Sequence, residues 1–199
     1  GTGASAIQFV PAIQPRVKEL TLFQRTPAWV IPRMDRPVSA REQTLYRVLP
    51  VTQRLARAAI YLQREAFVLG FRHPLVMRQI GKLALRYLER QVPDPALRKK
   101  LTPDFRLGCK RILISKEYLP SLSQPNVEVV TSGIREVRAH SVVTADGQER
   151  EVDALIFGTG FHVTDIPFAR RVRGGDGRTL HEVWQGSPSA HYGTTVAGF

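Results

Sequence analysis

The pattern of apolar and polar positions divides the chain into four stretches. Residues 1–35 pass from a Gly-rich turn into a helix-compatible segment, Ser5 to about Val17. A β-like run, Leu20-Thr21-Leu22-Phe23-Gln24, then closes on Arg25-Thr26-Pro27. The order is turn, helix, strand: a βαβ unit without its first strand. Residues 36–100 carry apolar positions at three-to-four spacing (Leu45, Val48 and Leu49, then Leu55, Ala59, Leu62, Ala66 and Leu69). Pro50, Pro74 and Pro93-Asp94-Pro95 should cut this stretch into two or three helices. Residues 101–164 return to strand texture, with Ile112-Leu113-Ile114 and Val127–Val130 as short strands. Ile134–Arg138, Ser141–Thr144 and Arg150–Val152 should form a meander whose second turn is Ala145-Asp146-Gly147. Ala154-Leu155-Ile156-Phe157 reads as a buried strand ending at Gly158-Thr159-Gly160. Residues 165–199 offer a turn at Gly174-Gly175-Asp176-Gly177, a short helix near Leu180–Trp184, and a strand from Thr194 running into a turn.

Composition narrows the classes. With 199 residues and 43% hydrophobic content, the chain has material for a core, so disorder is not the default. Its net charge is +12, and residues 36–100 hold 14 Lys and Arg against 4 Asp and Glu. Such a surface favours anions, yet the arginines scatter without aromatic platforms, which fits a solvated helical face better than nucleic-acid binding. A single cysteine, Cys109, excludes an internal disulfide framework and makes a reducing cytoplasm the simplest compartment. No apolar run reaches a membrane span, which leaves only peripheral membrane contact open. His73, His140, His162, His181 and His191 lie too far apart for metal-ligand spacing, and no metal is expected. The opening Gly-Thr-Gly-Ala-Ser-Ala and the strand-like close both read as the ends of a fragment.

Three places carry candidate chemistry. Gly1-Thr2-Gly3-Ala4-Ser5-Ala6 fits G-x-G-x-x-G/A, in which the glycines permit a tight turn and close approach to a pyrophosphate. The helix that follows aims its N–H groups at the phosphates. An ordinary Gly-rich turn satisfies the same pattern. At the end of the next strand an NAD-specific site carries Asp or Glu; here stand Gln24, Arg25 and Thr26. A guanidinium there suits a 2′-phosphate, unless Arg25 is one exposed arginine among many. Lys110 and Arg111 are adjacent cations before a strand, placed either to meet a phosphate and a reaction centre or to be solvated. Cys109 beside them reads as a half-buried packing residue rather than a nucleophile. Trp29 and Trp184 read as packing residues.

Several segments together resemble the class B flavoprotein monooxygenases, in particular the Baeyer-Villiger type. They are Gly1–Gln8, Phe23-Gln24-Arg25-Thr26-Pro27-Ala28-Trp29, Leu107-Gly108-Cys109-Lys110-Arg111, Gln124-Pro125-Asn126-Val127 and Asp153–Phe161, in family order. The resemblance implies an α/β fold in four parts. Residues 1–35 would begin a Rossmann-like NADPH-binding domain lacking its first strand, and residues 36–100 would be a helical insertion in it. Residues 101–164 would complete the domain with its β-meander, and residues 165–199 would start the return to an FAD domain.

By the same likeness, Gly1, Thr2, Gly3, Ala4, Ser5, Ala6 and Gln8 would bind NADPH, and Arg25, Thr26 and Lys110 would hold its 2′-phosphate. Gly158, Thr159 and Gly160 would belong to the cofactor site at the return link. Arg111 resembles the catalytic arginine that steadies an anionic C4a-peroxyflavin and its carbonyl adduct. The implied cofactors are FAD and NADPH, and the implied substrates are O2 and a small ketone, or a heteroatom compound if the enzyme oxygenates N or S as N,N-dimethylaniline monooxygenases do. The family's FAD turn and its F-x-G-x-x-x-H-x-x-x-W fingerprint do not occur in these residues. Turnover is therefore expected of a parent protein, and the other reading is a truncated, non-catalytic remnant that binds nucleotides or anions.

Overall fold

The computed structural model describes residues 1–70, 73–160 and 166–199. The expected boundary at residues 164 and 165, together with Phe161 and His162, lies outside the described residues. The chain forms two compact units, Gly1–Gly158 and Thr159–Phe199. In chain order the first unit runs α1 (Ala6–Ile13), β1 (Leu20–Phe23), β2 (Val30–Ile31), α2 (Ala40–Val48), α3 (Pro50–Gly70), α4 (Pro74–Gln91) and α5 (Pro95–Leu101). It continues with β3 (Leu113–Ile114), α6 (Tyr118–Leu122), β4 (Val127–Val130), β5 (Ile134–Val137), β6 (Ser141–Thr144) and β7 (Glu149–Glu151). The second unit holds α7 (Leu180–Trp184). The molecule is mixed α/β, as its texture predicts.

The parallel pair β1 and β4 forms the centre of the first unit, with Leu20 opposite Val127 and Phe23 opposite Val130. Parallel strands require a crossover, and here the chain between them supplies the helices. α1 buries Ala6, Ile7 and Val10 against Leu20, Leu22, Val129 and the α6 residues Leu119 and Leu122. Each of the buried Val, Leu and Ile side chains contributes about 1.5–3 kcal/mol relative to exposure, so this cluster holds the unit together. Among the described residues β1 pairs with β4 on one edge and with no strand on the other.

Among the described residues the stretch 36–100 contains four helices rather than two or three, because each internal proline starts a helix instead of merely ending one. Pro50, Pro74 and Pro95 are the first residues of α3, α4 and α5, where a missing N–H costs nothing. Asp94 caps α5 by accepting from the N–H groups of Ala96 and Leu97 at 3.0 and 3.1 Å. α2 begins with a capping box in which Ser39 and Glu42 exchange backbone and side-chain bonds. The helices differ in burial: α2 buries no residue, whereas α4 buries Met77, Ala84 and Leu88 along one stripe.

The predicted meander is present, with β6 between antiparallel β5 and β7. All four β6 residues are buried, and Gly147 at φ +82° makes the turn into β7. Arg150 of β7 ties the meander to β4 by two bonds of 2.7 Å to the Glu128 carboxylate.

Two predicted strands are absent. Ala154–Phe157 forms no strand, and Ile156 and Phe157 are 54% and 77% exposed. A buried strand needs neighbours to pair its backbone, and among the described residues none lies beside it. Thr194–Phe199 makes only an isolated bridge, Thr195 to His191. Its surroundings are curled by Tyr192, Gly193 and Gly198, all at positive φ. In the same unit α7 matches the expected helix and carries a Thr179–Glu182 capping box. The Gly174 turn closes so tightly that an added Cβ would lie 2.8 Å from the Gly198 carbonyl oxygen.

Candidate functional site

The Gly-rich turn is anchored to the end of β1. Thr2 donates its hydroxyl to the Thr26 carbonyl at 3.0 Å, and the Gly1 nitrogen donates to the Phe23 carbonyl at 3.2 Å. Gly158 closes the other side, its hydrogen facing the Phe9 ring at a distance where a Cβ would make ordinary contact, 3.5 Å. Within the turn, Ile7 N–H donates to Gly3 O and Gln8 N–H to Ser5 O, while the Gln8 side chain donates back to Ala4 O at 2.8 Å. Ser5 makes no side-chain cap. The backbone N–H groups of Gly3, Ala4, Ser5 and Ala6 therefore have no acceptor among the described residues. Four clustered donors at a helix start make a site for an anion.

Just past the end of β1 the two neighbours Gln24 and Arg25 differ in burial. Gln24 is buried and its amide donates to the Lys100 carbonyl at 2.8 Å. Arg25 is exposed, and no ion pair holds it among the described residues. Thr26 is half-buried under the turn. The structure thus joins Gly1–Ala6, Arg25, Thr26 and Gly158 at one end of β1. Thr159 and Gly160 belong to the second unit.

Lys110 and Arg111 line an open cleft of about 610 Å³ in the first unit. Ile31, Met34, Ile112 and Ile114 give it an apolar wall. The loop carrying the two cations is held by Trp29, whose indole donates to the Phe105 carbonyl at 2.9 Å. Trp29 packs with Met77, Ala84 and Leu107, in keeping with its expected packing role. Lys110 lies over the Phe105 ring at 4.6 Å. Cys109 is exposed in the same cleft, which corrects its reading as a half-buried packing residue; the tight turn at Gly108, φ +96°, lifts it away from the core. Arg64, from α3, also lines the cleft. Sequence reading passed over Arg64 as one of many helical cations, and only the fold distinguishes it.

Among the described residues no group of His, Cys, Asp and Glu could hold a metal, and no helix is long and apolar enough to cross a membrane.

The chain is similar to known proteins along its whole length. No family model matches the chain. A Baeyer-Villiger monooxygenase of Streptomyces coelicolor is 56% identical over 200 residues, covering all of this chain and 38% of the relative. Its counterpart from Pseudomonas aeruginosa is 51% identical, with the same coverage. Along its whole length the chain is thus similar to part of two proteins named Baeyer-Villiger monooxygenases. It spans about two fifths of the length of these curated relatives. Cyclohexanone monooxygenase from Rhodococcus sp. Phi1 bound to NADP+ superposes with a TM-score of 0.79 at 28% identity, over all of this chain and 45% of that one. OTEMO in complex with FAD and NADP gives 0.76 at 26% identity, over all of this chain and 44% of that one. The Baeyer-Villiger resemblance carried by the Gly1–Gln8, Phe23–Trp29 and Leu107–Arg111 segments therefore extends along the whole sequence and through the fold.

Proposed function

We propose that this chain supplies the NADPH-binding part of an FAD- and NADPH-dependent monooxygenase that inserts one oxygen atom of O2 into a ketone. The observation that carries the reading is the Thr2–Thr26 bond, which sets the donor-rich turn beside Arg25. The residues fit a dinucleotide: four N–H groups of the turn have no acceptor among the described residues, Gly3 leaves open space where a side chain would stand, and a guanidinium waits at the strand end. OTEMO binds FAD and NADP, and carrying those cofactors to this chain gives each cluster a task.

The N–H groups of Gly3–Ala6 would receive the pyrophosphate, with the α1 dipole adding to their pull. Thr2 orients the turn and Gln8 braces it. Arg25 would pair with the 2′-phosphate through a bidentate contact, assisted by Thr26 and Lys110. Gly158, Thr159 and Gly160 would let the backbone pass close to the cofactor. Reduced flavin supplies the activated oxygen. Arg111 is the catalytic residue of this chain: its guanidinium holds the negative charge that builds on the substrate's carbonyl oxygen when that carbon is attacked.

The test uses the full-length, FAD-loaded protein with NADPH, 18O2, a ketone and a sulfide. A labelled ester from the ketone supports the reading; a labelled sulfoxide as the sole product assigns heteroatom oxygenation instead. Arg111→Ala should abolish ester formation while NADP+ stays bound. Retained ester formation would remove Arg111 from the reaction.

A further inference from the structure

The cleft that holds Arg111 carries more positive charge than a neutral ketone requires. Elsewhere some exposed arginines are paired with carboxylates, Arg33 with Asp35 and Glu117, Arg36 with Glu42, Arg138 with Glu136 and Glu149, and Arg178 with Asp176, while others, Arg25 among them, have no ion pair among the described residues. In this cleft three cations, Arg64, Lys110 and Arg111, line one cavity and no Asp or Glu lines it. Lys110 is occupied over Phe105. Arg64 and Arg111 make no hydrogen bond and no ion pair among the described residues. They come from different elements, Arg64 from α3 and Arg111 from the loop before β3, so folding has brought two unpaired guanidiniums to one apolar wall.

Like charges gathered at an apolar surface repel one another, and an anion placed between them relieves that repulsion. We propose that Arg64 is a specificity-determining residue that binds a carboxylate, so that the preferred substrate is an aliphatic keto acid rather than a neutral ketone. Its alkyl chain lies on Ile31, Met34, Ile112 and Ile114, with its acid group at Arg64 and its carbonyl at Arg111. A cavity of about 610 Å³ has room for such a molecule. The ketone part of this inference rests on the function proposed above; the carboxylate part does not.

The closing experiment separates the two. Octanoate and methyl octanoate, neither a ketone, are titrated calorimetrically into the full-length, FAD-loaded protein, with and without saturating NADP+. Octanoate is expected to bind at least tenfold more tightly than the ester, and Arg64→Gln should erase that preference while changing ester binding less than twofold. Equal affinity for acid and ester, absence of binding by either, or a preference that survives Arg64→Gln overturns the proposal. Displacement of octanoate by NADP+ also overturns it, because the cations then serve the cofactor's phosphates. A second arm measures oxygenation of a medium-chain keto acid and its methyl ester: Arg64→Gln should raise KM for the acid alone, with kcat unchanged. Failure of both ketones to react in this arm, alongside the expected titration, would count against the oxygenation reading and leave carboxylate binding established.

Discussion

The Gln14 side-chain amide donates to Asn126 Oδ1 at 2.7 Å, and Asn126 donates in return to the carbonyls of Gln14 and Val17 at 3.1 and 3.0 Å. Two residues far apart in the chain thereby fasten the end of α1 to the start of β4. Leu20, the first residue of β1, donates its N–H to the Asn126 carbonyl at 2.8 Å, so the same residue sets the register of the central strand pair. Asn126→Ala leaves these carbonyls to water or unpaired, at a cost of about 2 kcal/mol. Urea unfolding should show that loss, and amide exchange in β4 should quicken with it. An unchanged midpoint would mean that the α1–β4 junction is held by apolar packing alone.

Arg25 and Gln24 divide two tasks at the end of β1. Gln24 faces inward to the Lys100 carbonyl, and Arg25 is left with its charge in solvent. Arg25→Ala should weaken NADP+ binding roughly 10- to 100-fold, the value of one charge-assisted bidentate contact, and should change NAD+ binding less than twofold. Equilibrium titration with both nucleotides reads the ratio. Equal losses would place Arg25 away from the 2′-phosphate.

How much of this was legible in the sequence depended on whether a signal was local. β1, β4, the meander and α7 were read because alternation, a Gly turn and a capping pair act over a few residues. Helix starts at Pro50, Pro74 and Pro95 were visible as punctuation, but their count was not, since a proline can open a helix as readily as end one. Ala154–Phe157 was misread because an apolar run states a preference for burial and says nothing about whether a strand stands beside it. Cys109 was misplaced for a related reason: its exposure follows from the Gly108 turn, not from the character of cysteine. Arg64 was invisible, because a helical arginine becomes distinctive only when folding sets it opposite Lys110 and Arg111.

Glu42 gives a pH-dependent test of the α2 capping box. Its carboxyl accepts from Arg36 and from the Ser39 backbone and hydroxyl, which lowers its pKa from 4.5 to about 2. A depressed folded-state pKa means that the stabilisation is complete above the unfolded value and is lost as the pH falls through the folded one. The contribution to α2 should therefore stand above pH 4.5 and vanish as the pH drops through about 2. A carboxyl NMR titration of Glu42 should find that low midpoint, and Arg36→Gln, by removing its largest cause, should move it back toward 4.5. An unmoved midpoint in the variant would assign the depression to Ser39 alone.

Trp29 links the fold to the cleft. Its ring is buried against Met77, Ala84 and Leu107, and it faces Gly81 so closely that a Cβ there would touch it at 3.9 Å. Its indole N–H holds the Phe105 carbonyl, and Phe105 in turn lies under Lys110. Trp29→Phe keeps most of the apolar contact but leaves that carbonyl without its donor, a cost of about 1–3 kcal/mol. Trp29→Ala also opens a cavity and should cost about 3–5 kcal/mol. The two variants separate packing from positioning. If the hydrogen bond fixes the cation-bearing loop, Trp29→Phe should weaken NADP+ binding several-fold at a temperature where the protein stays folded, because Lys110 loses its support. If packing alone matters, Trp29→Phe should bind NADP+ like the unchanged protein, and only Trp29→Ala should lose affinity, in step with its unfolding.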